Sequence, residues 1–251
     1  MITAILMVKN EADIIAATLA HTLTQVDHVI IADNGSTDGT HDIIASFDVQ
    51  LIDDPDPAYR QSQKMTVLAA LAAEAGATWV VPIDADELWS TPESTIRDFL
   101  PKIPADRAIV RAQLFDYVAT GADDPAEIDP TKRITWRRRI PAKLPKVAVR
   151  PHVPVTIHQG NHGAQYFHPD PVDGLIVRHF PYRSPEQMRS KALTGSAALQ
   201  AAPELPRSSG QHWRDYTDLE NSRPGAIADV FRQWFYVHDP TTADLVHDPC
   251  A

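Results

Sequence analysis

Between residues 3 and 83 the chain alternates four short apolar runs with three segments of helical periodicity, and few folds accept that pattern. The runs at residues 3–8, 28–32, 49–52 and 79–83 read as strands. Residues 13–23 carry Ile14, Ile15, Leu19 and Leu23 at helical spacing, residues 38–47 carry Ile43, Ile44 and Phe47, and residues 60–75 form an alanine-rich segment stopped by Gly76, a residue suited to the turn after a helix. The strands are apolar on every residue rather than on alternate ones, so both of their faces must be covered. The prediction is an α/β fold with a mostly parallel central sheet and helices on both faces. Sheets of this kind bind ligands beyond the carboxyl ends of their strands. The residues that follow Val8, Ala32 and Ile83 therefore carry the functional information.

Beyond Pro101 the pattern loosens. Residues 108–119 read as a longer strand, 121–130 as an acidic loop, 175–179 as another strand, 185–201 as a helix and 227–237 as a final amphipathic helix. With no internal repeat and no low-complexity linker, the expected organisation is one compact domain over residues 1–251, regular in its first hundred residues and more variable after them. The start of the chain lacks a basic, then apolar, leader pattern, and the longest apolar tract, residues 65–83, is broken by Glu74, Gly76 and Pro82. A soluble cytoplasmic protein is expected, and peripheral membrane contact stays open.

Charge narrows the partners. The net charge is −10, which argues against a nucleic-acid backbone as partner. The single cysteine, Cys250, excludes a disulfide framework and a cysteine-built zinc site. The acidity is uneven: residues 1–100 hold 4 basic and 16 acidic side chains, whereas the remainder holds 19 and 17.

Three polar clusters follow the strands: Lys9-Asn10-Glu11, then the run from Asp33 through Asn34-Gly35-Ser36-Thr37-Asp38 to Thr40, then Asp84-Ala85-Asp86-Glu87. In an extended or turning segment Asp84 and Asp86 point the same way, and two such carboxylates repel unless something cationic lies between them. Oxygen ligands suit hard divalent cations such as magnesium or manganese, which keep waters and take further ligands from substrate phosphates. The blander reading of this cluster is helix capping or a solvated acidic turn. The second cluster likewise reads either as a turn with a helix cap or as a pocket in which Asp33 accepts hydrogen bonds from a base or a ribose.

The ordered set VKNE, ADNGSTDGT and a strand ending in DADE resembles the family-2-type glycosyltransferases of the GT-A fold, in the branch whose third motif is D-x-D-E. The resemblance covers residues 1–100 and returns at residues 177–187, where His179, Tyr182, Arg183, Ser184, Glu186 and Gln187 match an H-x-x-Y-R-S-x-E-Q element. It implies a nucleotide-diphospho-sugar transferase, of hexosyltransferase type and inverting, in a single catalytic domain over residues 1–251 whose residues 1–100 form the nucleotide- and metal-binding half and 101–251 the acceptor-binding half with C-terminal helices. Asn10 and Glu11 would lie near base and ribose, Asp33 would bond the base, and Ser36 and Asp38 would shape that pocket. Asp84 would lie near the ribose, while Asp86 and His179 would hold a divalent cation, Mn or Mg. Apart from the resemblance, Arg183 and Lys191, close to His179 in the sequence, read as contacts for the diphosphate. The partners implied are a nucleotide-sugar donor, with UDP-sugars favoured, and a carbohydrate or other hydroxyl acceptor.

The sequence departs from the family pattern twice. The helix before the DADE strand opens Arg60-Gln61-Ser62-Gln63-Lys64 rather than with an Arg-Asn pair, and no Glu-Asp pair supplies a base in the second half. The base is therefore sought among His162, Asp116 and His158, with His162 preferred and Asp116 second. His152, His158, His162 and His168 also invite a zinc reading, but their spacing suits a loop better than one helix face. Residues 131–150 hold 8 basic and no acidic side chains. They read as a solvated strand face, as an anion contact or as a surface for an acidic partner. Two other functions fit part of the pattern: a metal-dependent phosphoester hydrolase built on the same carboxylates, and a nucleotide-sugar-binding module without catalysis.

Overall fold

The computed structural model describes residues 1–151, 155–165 and 171–250. The chain divides into two compact units, one of residues 1–55, 61–115 and 140–179 and the other of residues 56–60, 116–139 and 180–251.

The first unit contains the predicted alternation: β1 (Ile2–Val8), α1 (Ile15–Gln25), β2 (His28–Asp33), α2 (Thr40–Ala45), β3 (Gln50–Asp53), α3 (Gln61–Glu74) and β4 (Trp79–Ile83). Strands β3, β2, β1 and β4 lie side by side and parallel. The sheet then continues with the Lys146–Val149 strand, β6 (Ile109–Asp116), the Val172–His179 strand and β5 (Glu87–Ser90), eight strands in all. Lys146–Val149 joins β4 and β6 antiparallel, and β5 joins Val172–His179 antiparallel.

Burial on both faces explains the unbroken apolar strands. Ile2, Ala4, Leu6 and Val8 point to one side, against Ile15 and Leu19 of α1 and Ile44 of α2. Ile5 points to the other side, with Ile30 and Val80, against Met65, Leu68, Ala69 and Ala72 of α3. Period-two strand geometry thus serves two cores at once. Helix α2 is shorter than the predicted 38–47, because Gly39 at φ 95° takes the left-handed conformation that precedes its first turn.

In the second unit the predicted helix over 185–201 is present as Pro185–Gln200, capped by Ser184, whose hydroxyl accepts from the Gln187 amide at 3.1 Å. Two expectations need correction. The strand over 108–119 is two pieces, β6 and Ala119–Thr120. The helix over 227–237 is Ala226–Trp234, and its last predicted residues leave it, with Tyr236–Val237 pairing parallel to Ala119–Thr120. A helix not predicted, Gln211–Ser222, packs on the Pro185–Gln200 helix, its hydroxyl-bearing Thr217 donating to the Ala192 carbonyl at 3.2 Å. Among the described residues no helix is long and apolar enough to cross a membrane.

Candidate active site

Strand register decides which loops meet. Val8 pairs with Asp33, and Leu6 with Ile83, so the residues after β1, β2 and β4 emerge at one edge of the sheet.

The first two clusters are stitched to each other. The Asn10 amide donates to Ser36 Oγ at 3.0 Å, and Asn10 Oδ1 accepts from the Thr37 amide at 2.8 Å. The Glu11 amide donates to Thr40 Oγ1 at 2.9 Å, and Asp38 accepts from the Ala12 amide at 3.1 Å and from Thr40 Oγ1 at 2.6 Å. Asp33 is 4% exposed, and its Oδ1 accepts both the amide and the hydroxyl of Ser36, at 3.1 and 2.5 Å. Lys9 Nζ donates to the Asn34 carbonyl at 2.7 Å. The result is a rigid rim in which Ser36 fixes the Asp33 carboxylate and Asp38 fixes the loop around it. Asn10 sits at φ 54°, a left-handed conformation that asparagine tolerates better than most residues.

The DADE turn folds back at once into β5, and this strand was not predicted. Its partner is the Val172–His179 strand, with His179 paired opposite Glu87. That pairing brings His179 Nε2 to 3.7 Å from Asp86 Oδ1, with Asp86 3% exposed. A cation with metal–ligand distances near 2.1 Å can bridge two atoms at that spacing, so the pair fits a hard ion that draws its remaining ligands from water and phosphate. Among the described residues, no group of three or more His, Cys, Asp or Glu side chains is placed to hold a metal by itself.

Beneath this pair lies a cation belonging to the chain. Lys146 is 3% exposed, and its Nζ lies 2.5 Å from Asp84 Oδ2 and 2.7 Å from Glu87 Oε1. Asp84 Oδ1 also accepts from Gln61 Nε2 at 3.0 Å and Asn161 Nδ2 at 2.9 Å. The fully buried Glu87 accepts from Trp89 Nε1 at 2.9 Å and the Asp84 amide at 3.1 Å. Burial alone would lower the Lys146 pKa, but Asp84 and Glu87 outweigh it and hold the ammonium charged, well above the ordinary lysine range. Burial pushes the Glu87 carboxyl up, and Lys146 opposes it.

Lys146 was hidden inside the basic segment, whose blandest reading was a solvated face. Its signal is local: it opens an apolar run, Lys146-Val147-Ala148-Val149, that is buried throughout. Gln61 is the other residue missed, at the position where the family pattern has an Arg-Asn pair. Its carboxamide ties Asp84 to the Gly160 amide, which donates to Gln61 Oε1 at 2.8 Å.

Of the base candidates, His162 belongs to the first unit. Its Nδ1 lies 3.0 Å from the Pro145 carbonyl. Donating there leaves Nε2 as the acceptor of a neutral ring. Burial first, then the charge of Lys146, lowers its pKa below the usual histidine value. His158 is near the same turn: a Cβ added at Gly163 would stand 3.0 Å from His158 Nδ1, and the His158 amide donates to the Gly163 carbonyl at 2.8 Å. His152 and His168 lie outside the described residues. Asp116 belongs to the second unit, where with Arg138, Tyr182 and Phe235 it lines a small pocket of about 40 Å³. Arg183 and Lys191 also belong to the second unit. Arg183 is 3% exposed and donates from Nη1 to the Phe180 carbonyl at 2.9 Å, and Lys191 Nζ lies 3.5 Å from the Pro181 carbonyl.

The family model for glycosyl transferase family 2 matches residues 3–161, more than half of the chain and all three strand-end clusters. The chain belongs to glycosyl transferase family 2. Among curated proteins none matches this family-2 glycosyltransferase. Solved structures similar to it include mannosyl-3-phosphoglycerate synthase from Rubrobacter xylanophilus, at 15% identity over 90% of this chain and 78% of that one, with a TM-score of 0.44. Others are a mycobacterial protein, at 17% identity over 46% of this chain and 41% of that one with a TM-score of 0.35, and glucosyl-3-phosphoglycerate synthase from Mycobacterium tuberculosis in complex with Mn2+, UDP and glucosyl-3-phosphoglycerate. The last is 19% identical over 45% of this chain and 44% of that one, with a TM-score of 0.29. The family-2 chain thus spans less than half the length of two of these proteins.

Proposed function

We propose that this family-2 glycosyltransferase moves a sugar from a nucleoside-diphosphate donor, UDP-sugars being favoured, to the hydroxyl of a carbohydrate or other acceptor. The observation that supports it is the meeting of Asp86 and His179, 3.7 Å apart, at the sheet edge that also carries the Asp33 rim. Asp33 and Asn10 bind the nucleoside, Ser36 and Asp38 hold that rim in shape, and Glu11 and Asp84 stand on its ribose side. Asp86 and His179 are the residues that would hold a divalent cation, Mn or Mg, and such an ion would supply Lewis-acid stabilisation of the charge on the departing diphosphate. Arg183 and Lys191 are the basic residues proposed as contacts for a donor diphosphate. Attack by the acceptor hydroxyl inverts the anomeric carbon and needs a group to receive its proton. His162 takes that role through Nε2, and Asp116 is the second candidate.

A thermal-shift panel of UDP, GDP, ADP and CDP, each with and without MnCl2, tests the donor site. One nucleotide at about a hundred times its dissociation constant raises the melting temperature by about 5 °C or more, and only with the cation. No nucleotide response, together with phosphate release from simple phosphoesters, would instead select a hydrolase. A nucleotide response without transfer to any acceptor, and without donor hydrolysis, would select a binding module.

His162→Ala lowers kcat by about a hundredfold at neutral pH. The sign of its pH dependence follows from the lowered pKa. A neutral ring accepts the proton, so the wild-type rate falls only as pH drops through a value below 6.5, and that acid limb disappears in the variant. An unchanged limb would move the role to Asp116.

A further inference from the structure

Acidic turns that serve cations ordinarily offer more than one carboxylate, yet two of the three in this turn are tied to the chain's own lysine. Asp84 has both oxygens engaged, Oδ2 by Lys146 at 2.5 Å and Oδ1 by Gln61 at 3.0 Å and Asn161 at 2.9 Å. Glu87 is fully buried against the same ammonium at 2.7 Å. Lys146 reaches them from a different strand, and Asn161 reaches Asp84 from a turn at φ 57°, a left-handed conformation that asparagine tolerates better than most residues. Three separate segments therefore converge on Asp84, while its near neighbour Asp86 is set beside His179.

We propose that Lys146 is a positioning residue that divides the acidic turn, holding Asp84 and Glu87 to the protein and so confining the cation to Asp86 and His179. This rests on the cation reading given above. Lys146 does not touch the reacting atoms; it acts through Asp84. The immobilised Asp84 then presents a fixed surface to the donor rather than a mobile second ligand that would compete with phosphate oxygens for the ion. The purpose fits hard cations, whose affinity is tuned by how many carboxylates reach them and how rigidly.

The test is Mn2+ binding to the full chain by calorimetry, in the absence of nucleotide. Asp84→Asn leaves Mn2+ affinity within about threefold of wild type, whereas Asp86→Asn removes it, because only the second carboxylate is a ligand. The pair Glu87→Gln/Lys146→Met removes one charge of each sign and so keeps the net charge, but it releases Asp84 from the ammonium. Mn2+ binds this double variant about tenfold more tightly, through a second carboxylate in reach, and adding Asp84→Asn returns the affinity to the wild-type value. A lysine with a merely structural role would lower the melting temperature without that Asp84-dependent gain. If the double variant does not fold, the single Asp84→Asn comparison decides: a loss equal to that of Asp86→Asn overturns the proposal. Equal Mn2+ affinity in wild type and a folded double variant overturns it and leaves the transferase reading standing. Absence of Mn2+ binding in both proteins overturns the two together, and binding in the double variant alone supports the role of Lys146 while removing the cation from the native site.

Discussion

Asp86→Ala lowers metal-dependent sugar transfer by about a thousandfold or more. The size follows from the chemistry of the step. Breaking the bond between sugar and diphosphate leaves a new negative charge on the leaving group, and a cation held by Asp86 and His179 as proposed would contribute several kcal/mol to the transition state. Losing about 4 kcal/mol corresponds to about a thousandfold in rate. Asp86 is the carboxylate of its turn that lies by His179, and it is itself 3% exposed. Asp86→Asn, with the same shape, falls nearly as far, because the charge rather than the volume is what the ion requires. The measurement is transfer, or donor hydrolysis, across a MnCl2 titration. Turnover that keeps its rate and its cation dependence in Asp86→Ala would sink the assignment.

Lys146→Met acts on stability instead. It is expected to lower the free energy of unfolding by about 3–5 kcal/mol, the usual cost of removing one partner from a buried ion pair. Two carboxylates share this ammonium, one of them fully buried, so its loss leaves Glu87 desolvated without a countercharge. Urea unfolding checks the figure, and adding Glu87→Gln recovers at least half of the loss. A single variant weakened by less than about 1 kcal/mol would show that the pair is not the buried anchor described.

Most of the parallel half of the sheet was legible in the sequence because β1, β2 and β4 are buried on both faces and so carry few polar residues to blur them, whereas β3 at the sheet edge is only partly buried. Its strand ends were legible for the same reason: Asp33 and Asp84 stand out only because Ile31 and Ile83 precede them. Strand β5 was not legible. Four residues, one of them Glu87, give no period to read, and what makes them a strand is the Val172–His179 strand, far away in sequence. Lys146 escaped for a different reason. Charge counting treats a lysine among seven other basic residues as one of a group, and nothing local says that this one meets two carboxylates. The Gln211–Ser222 helix escaped because it is polar nearly all round, with Glu220 its one buried residue among those described. That glutamate accepts from the Gly225 and Ile227 amides and from Arg189, which together hold its pKa down to about 2.

The pairing of His179 with Glu87 has a consequence for how this chain tolerates change in length. Side chains alternate across a sheet, so moving the Val172–His179 strand by one residue along β5 would turn His179 to the opposite side and part it from Asp86. The long stretch of chain between the two strands is not under that restriction. Loops within it can gain or lose residues with the two groups still side by side, whereas a single deletion between Glu87 and Ser90, or between Ile176 and His179, would dismantle the site while leaving every residue named in it present. Natural variation and engineering alike are therefore expected to accumulate insertions in the loops and almost none in those eight paired positions.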